Sequence, residues 1–521
     1  MGGPLFLLPL LLLSSCAALG IGWVLILLND YWWRPKKFER WLKQRGIVGP
    51  PYKFLTGNLK ENFEMLKEAR LKPMELSHRI VPRVFPFIHQ TVKHYGKTSV
   101  TWFGRHPRVT IMEPELVREI LSNKFGHFQK SRSNPLLKLL VSGIGHHEGE
   151  KWAKHRRIIN PAFQVEKLKP MLASFASSCS DWMERWETLV GEGPTEVDVW
   201  PEMHRLTGDV ISRTAFGSNY KEGNRIFQLQ TELSELIAEY SRSPQLPGLR
   251  YLPTKRNRRN WEIDREVRAI LMNFIKKREQ KIKIGEANDD LLGLLMESIT
   301  RDHSEVARSG GTRGLTVEEV IEECKLIYFA GQETTSVLLT WTMVVLGMHP
   351  DWQTKARDEV LQTFGKNKPD FDGLSRLKIV TMILYEVLRL YPPVVNIVRT
   401  SVKKIQVGSH WFIPGVHLSF PVLLIHHDRE LWGEDAEEFK PERFAEGISK
   451  ASKNQSAAFF PFGWGQRICV GQNFALVEAK LGISMILQRF SFELSPTYAH
   501  APCTTITLHP QHGAQLILRR L

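Results

Sequence analysis

The sequence predicts a mainly α-helical protein with a small β component, its one large body carried behind a single N-terminal transmembrane helix. Three observations predict this. Apolar residues recur at helical spacing over 114–123, 152–159, 317–348 and 374–390. Strand-like runs are short and few, at 99–102, 108–112 and 513–518. Leu5 to Leu28 is an almost unbroken apolar run, with no charged side chain before Asp30.

The apolar run is the first element. A helix of roughly 20 apolar residues crosses a bilayer core, so this segment can span. A cleaved signal peptide competes, with small residues at Ser15-Cys16-Ala17. Such peptides usually carry a basic leader and an apolar stretch of about 7–15 residues. Here no Lys or Arg precedes the run and it continues past the small residues, so an uncleaved anchor over 1–30 is favoured. Tyr31, Trp32 and Trp33 then suit the membrane interface. Arg34, Lys36, Lys37, Arg40, Lys43 and Arg45 suit its cytoplasmic side. On that orientation the sequon Asn454-Gln455-Ser456 is a chance match. Residues 31–58 form a basic, Pro/Gly-rich connector containing Gly49-Pro50-Pro51 and Gly57. It reads equally as a stiff spacer or an ordinary loop.

The remainder, 59–521, shows no repeat, no second span and no internal boundary. Of 521 residues, 42% are hydrophobic and 24% charged, enough for a large core. Five scattered cysteines do not make a disulfide framework and point to a reducing compartment. The net charge of +15 admits nucleic acid, an anionic membrane or an acidic protein as partner. The basic residues form no arm or repeat, and nucleic acid is the weakest of the three.

Three segments carry chemistry. His146-His147-Glu148 is not one of them; without a third ligand at helical spacing it reads as an exposed loop. Ser304 to Gly314 is a polar loop before the long helix. Thr316-Val317-Glu318-Glu319 is a capping box that starts that helix, and Pro350 stops it. In its middle stands Ala330-Gly331-Gln332-Glu333-Thr334-Thr335. Gly331 and a back-bonded Thr predict a local loosening with room for a small ligand. Next, Glu386 and Arg389 lie at i,i+3 among apolar neighbours. Last, Phe460 to Gly471 holds Cys469 in a glycine-rich loop just before a helix that begins near Asn473. Arg467 and a helix N-terminus favour a thiolate. Gly465 and Gly471 let the backbone approach a flat ligand, and Phe462 can shield the sulfur. A buried structural cysteine is the competing reading.

The pattern Phe-x-x-Gly-x-Arg-x-Cys-x-Gly closely resembles the haem-binding loop of the cytochrome P-450 family, and the other motifs follow in family order. The resemblance implies that family's fold, with haem b held by the Cys469 thiolate as the metal ligand. It implies that Glu333 and Thr334 are the acid–alcohol pair that relays protons for O–O cleavage. Glu386 and Arg389 resemble the Glu-x-x-Arg motif, and Arg443 in Pro441-Glu442-Arg443-Phe444 completes a structural triad bracing the cysteine loop. Trp152 and Arg156, one helical turn apart, resemble a propionate-binding pair, with Arg399 and Arg467 as further partners. Electrons are expected from NADPH through a separate flavoprotein reductase, at the cytosolic face of the endoplasmic reticulum membrane. Phe329 to Ser336 and Leu338-Leu339-Thr340-Trp341 look like the plant secologanin-synthase-like branch, which acts on terpenoids, hormone-like metabolites and some xenobiotics. A lipophilic substrate is expected beside 135–144, the start of the long helix, 394–398 and 504–506. A haem-thiolate isomerase or dehydratase, and a non-catalytic haem-binding protein, are the rival functions.

Overall fold

The computed structural model describes residues 7–131, 136–218, 220–241, 252–285, 290–305, 314–453 and 458–521. Pro135, most of the 304–314 segment and the 454–456 sequon lie outside these. At the centre is the helix Val317–Met348, started by the expected capping box: Glu319 N–H donates to Thr316 Oγ1 at 3.2 Å, and Thr316 N–H to Glu319 Oε2 at 3.1 Å. Its residues from Thr335 to Leu346 are all buried, because helices Val199–Phe216, Ile379–Leu390 and Gln472–Arg489 pack around it. A helix apolar on every side must be covered on every side.

Two expectations are corrected. Helical spacing over 374–390 continues through a break, since the structure has Phe371–Arg376 and then Ile379–Leu390. Glu359, from a neighbouring helix, accepts from the N–H groups of Lys378, Ile379 and Val380 at 2.6–2.9 Å. Its carboxylate thus caps a new helix start, where the dipole favours negative charge. Apolar periodicity cannot register a cap brought from another helix. The start of the expected polar loop at 304–314 is also helical, within Leu291–Glu305.

The β component forms small sheets to one side. The largest orders its strands Ser99–Phe103, His106–Thr110, His417–Phe420, Ile397–Ser401 and Phe128–Lys130. The second and third pair in parallel, the others antiparallel. Gln515–Arg520 pairs with Phe490–Leu494 and with Thr195–Asp198.

Leu7–Leu28 is a helix that runs through a π-helical turn, Asn29–Trp33, into Arg34–Lys43. Only 6% of its most apolar window is buried, which sets it apart from a core helix and suits a membrane anchor. The connector beyond it is tied to the body. Val100 N–H donates to Val48 O at 3.0 Å, and a Cβ on Gly49 would stand 1.8 Å from Val100 O, so only glycine fits. Tyr52 hydroxyl donates to Tyr31 O, and Arg105 pairs with Asp30. Ile47, Tyr52, Gly57 and Asn58 are buried against the body, while Val48, Pro51, Lys53 and Phe54 remain exposed.

Candidate active site

The cysteine loop is shaped by its glycines. Gly463 and Gly465 have φ of 76° and 69°, in the left-handed region that favours glycine. A Cβ on Gly465 would lie 2.4 Å from Leu121 O, so the loop sits against the end of helix Pro114–Leu121. Cys469 N–H donates to Phe462 O at 2.9 Å, which closes the loop just ahead of Gln472–Arg489. Phe462 itself is half-buried against the core. Burial pushes the Cys469 thiol up, while Gly471 N–H, Arg156 and Lys130 pull it down. The residue is enclosed by protein yet its side chain is accessible. This is the pattern of a residue that lines an internal space.

A cluster of cations stands around that space. Lys130 and Arg399 are direct cross-strand partners on antiparallel strands. Burial, with each cation opposing its neighbours, pushes Lys130 down to about 7 and Arg399 down to about 10. Arg467 pairs with Glu148, donates to His147 O at 2.8 Å, and covers the Trp152 ring with its guanidinium 4.2 Å from the centroid. Arg156 donates to Ile468 O at 2.9 Å, directly beside Cys469. Four buried or half-buried cations here face one described carboxylate, Glu148. Uncompensated charge is costly to bury, and a ligand bearing two carboxylates would offset it. A haem with its propionates fits this donor set, and Cys469 is the one residue among them suited to hold its iron.

Trp152 and Arg156 therefore share a helix face as expected, although the indole packs on Arg467. His146, His147 and Glu148 do not form an exposed loop. They are half-buried, and Glu323, wholly buried, accepts from Ile144 N–H at 3.0 Å and meets His155 Nδ1 at 2.5 Å. His147, His155 and Glu323 bring ligand-type atoms within 4.8 Å of one another. The segment thus closes one side of the site and supplies its counter-ion.

In the long helix, Ala330, Gly331, Glu333 and Thr334 are partly accessible between fully buried stretches, 323–329 and 335–346. Internal space therefore adjoins this turn. It does not come from a loosened helix, which is continuous here. Gly331 is needed because its Cβ would lie 2.7 Å from Ile211 of the neighbouring helix. Thr334 Oγ1 donates back to Ala330 O at 2.7 Å. Glu333 accepts from Thr507 Oγ1 and lies 3.6 Å from His204 Nε2; burial pushes its carboxyl up, and Thr507 opposes this.

Glu386 and Arg389 of the brace are fully buried, and Arg443 is nearly so. Arg389 Nε and Nη2 donate to the two oxygens of Glu386 at 2.7 Å, and Nη1 donates to His426 O and Ala436 O at 2.8 and 2.6 Å. Arg443 Nε lies 3.4 Å from Glu386 Oε1, and its Nη2 pairs with Asp435 at 2.8 Å. His426 links this group to the cysteine loop. Its Nδ1 meets Arg389 O at 3.2 Å, and its Nε2 accepts from Phe460 N–H at 3.2 Å. Burial beside Arg389 pushes His426 down to about 3, so the ring is neutral and can accept.

Sequence reasoning passed over Lys130, Glu148, His204, His426 and Thr507. No motif marks them, and each acts through a residue distant in the chain. Thr507 directly follows the segment 504–506 expected at the substrate, which was the nearest signal.

Comparison with known proteins identifies a family. The family model for cytochrome P450 matches residues 80–517. Cytochrome P450 CYP72A616 of Paris polyphylla is 60% identical over 512 residues, covering 98% of both chains. Secologanin synthase 2 of Catharanthus roseus is 49% identical over 514 residues, 98% of this chain and 97% of that one. Among solved structures, retinoic acid bound cyanobacterial CYP120A1 superposes with a TM-score of 0.72 at 25% identity, covering 85% of this chain and 96% of that one.

Proposed function

The chain belongs to the cytochrome P450 family and is a monooxygenase of that family, and from this premise we propose that it inserts one oxygen atom from O2 into a lipophilic small molecule. The observation that carries this reading is Cys469 in a glycine-shaped loop beside four buried or half-buried cations that face one described carboxylate. Haem ligated by Cys469 supplies O2 activation, because thiolate donation favours O–O cleavage. Lys130, Arg399, Arg467 and Arg156 neutralise its propionates, with Trp152 packed on Arg467. Phe462 and Gly465 shape the loop that presents the sulfur. Glu386, Arg389 and Arg443 hold that loop through His426.

Glu333 and Thr334 deliver protons. A carboxyl raised by burial stays protonated at higher pH than an exposed one, so Glu333 can donate. Replacing Glu333 by Gln is expected to lower the rate of product formation about 10²- to 10⁴-fold, the usual range for a lost general acid. In wild type, product formation falls as pH rises through the Glu333 titration. In the variant that limb is absent.

Electrons come from NADPH through a separate flavoprotein reductase, and the +15 charge suits an acidic partner of this kind. The anchor and the basic residues after it favour the endoplasmic reticulum membrane, with the body on the cytosolic face. A terpenoid or other specialised metabolite is the substrate class, as the name of the secologanin synthase relative suggests. The test is the full chain in nanodiscs with a plant reductase, NADPH and ¹⁸O2, offered a terpenoid panel. The expected product carries one ¹⁸O atom. Product formed without O2 or NADPH would instead establish the isomerase or dehydratase reading.

A further inference from the structure

His204 stands where the helices Val199–Phe216 and Val317–Met348 meet. Gln332 Nε2 donates to His204 O at 3.1 Å, and Thr207 Oγ1 donates to Gln332 O at 3.0 Å, so the helices Val199–Phe216 and Val317–Met348 are fixed in register there. The imidazole points along that seam at Glu333. Its Nε2 lies 3.6 Å from Glu333 Oε2, and Ser336 Oγ lies 3.2 Å from its Nδ1. Thr507 Oγ1 donates to the other Glu333 oxygen. Trp200 packs edge-on against the imidazole at 4.1 Å. The Glu333 carboxyl is therefore bonded on one side by an alcohol and faced on the other by an imidazole.

We infer that His204 is a positioning residue for Glu333 that also returns to its carboxyl the proton given up on the Thr334 side. This rests on the reading of Glu333 as proton donor and adds where its next proton comes from. At 3.6 Å the pair is beyond hydrogen-bond length, and a small rotation of the imidazole closes it. His204 accepts a solvent proton at Nδ1 and passes the Nε2 proton to the Glu333 carboxylate, which leaves the ring neutral with its proton on Nδ1. Loss of that proton to solvent and gain of one at Nε2 restore the starting tautomer before the next turnover. One proton enters and one is delivered, and no charge remains buried. The side chains of His204 and Glu333 keep 22% and 19% accessibility, enough to meet water, inside otherwise dense packing.

Burial pushes His204 down to about 4 and raises Glu333, so both shifts favour the proton on the carboxyl. The groups facing the pair are His509 and Thr507 from the C-terminal segment, with Gln332, Thr334 and Ser336 from the long helix. His509 opposes charge on His204, and its Nε2 contacts Cys503 Sγ at 3.3 Å. Glu478 of helix Gln472–Arg489, next along at Thr335, is raised well above the usual carboxyl range by burial. Burial thus opposes a competing negative charge there.

Infrared pH titration of the haem-loaded full chain in nanodiscs tests this without a substrate. A protonated-carboxyl band that vanishes in Glu333→Gln belongs to Glu333. In wild type that band is expected to titrate in two steps, because two coupled groups share a proton. In His204→Gln it titrates in one step, because the group that shares its proton is gone. Thr507→Val shifts the curve and keeps both steps, which separates loss of a proton partner from general disturbance. An unchanged curve in His204→Gln, or a single step in wild type, overturns the inference. If Glu333→Gln removes no titrating band, the fault lies instead with Glu333 as proton donor.

Discussion

Cys469→His is expected to abolish the strongly red-shifted Soret band of the reduced, carbon-monoxide-bound protein, and with it all NADPH-driven oxygen insertion. The red shift reports an anionic sulfur on the iron. Imidazole is a neutral ligand and pushes less electron density, as in proteins that bind oxygen reversibly. The surroundings are built for an anion. Arg156 donates to the carbonyl of the residue before Cys469, Gly471 N–H and Lys130 favour the thiolate, and Cys469 N–H is fixed to Phe462 O. Haem is still expected to enter Cys469→His, because Lys130, Arg399, Arg467 and Arg156 are untouched. The variant thus separates ligation from binding: haem content is kept and the spectrum changes. A wild-type spectrum preserved in the variant would refute Cys469 as the ligand.

How far the sequence went can be followed residue by residue. The anchor, the capping box at Thr316 and the main helices were legible because each is a local pattern, carried by neighbours within a turn or two. The cysteine loop was legible because close backbone approach at Gly465 demands glycine, and such demands leave a fixed spacing. Lys130 was not legible. It matters only because a strand pairing sets it opposite Arg399, 269 positions later, and nothing in Phe128-Gln129-Lys130 announces that partner. Glu148 looked like part of an exposed loop for the same reason, its counter-ion Arg467 being 319 residues away. The break at 377–378 was hidden because Glu359 provides the cap from another helix. The role of Gly331 was misjudged in kind. A helical glycine can signal bending or close packing, and only the position of Ile211 decides between them.

Those long-range ties make the brace the place where a conservative change has the largest structural effect. Glu386→Gln keeps shape and volume and removes one charge. Arg389 would then be a wholly buried guanidinium without its counter-ion, and Arg443 would lose the carboxylate 3.4 Å from its Nε. Breaking a buried pair from one side is expected to destabilise by about 3–5 kcal/mol. The bidentate geometry places this pair at the upper end, because Gln presents one oxygen where the carboxylate accepted from both Nε and Nη2. The effect should reach the haem. Arg389 fixes the carbonyls of His426 and Ala436, and His426 holds Phe460 N–H at the start of the cysteine loop. Glu386→Gln should therefore lose haem and melt at lower temperature together, as followed by the Soret band and by circular dichroism in one experiment. His426→Phe provides the contrast. It leaves the ion pair intact and removes the link, so haem affinity should fall with a smaller loss of overall stability. If both variants lower melting temperature equally and retain haem equally, the brace acts on the core as a whole and not through the cysteine loop.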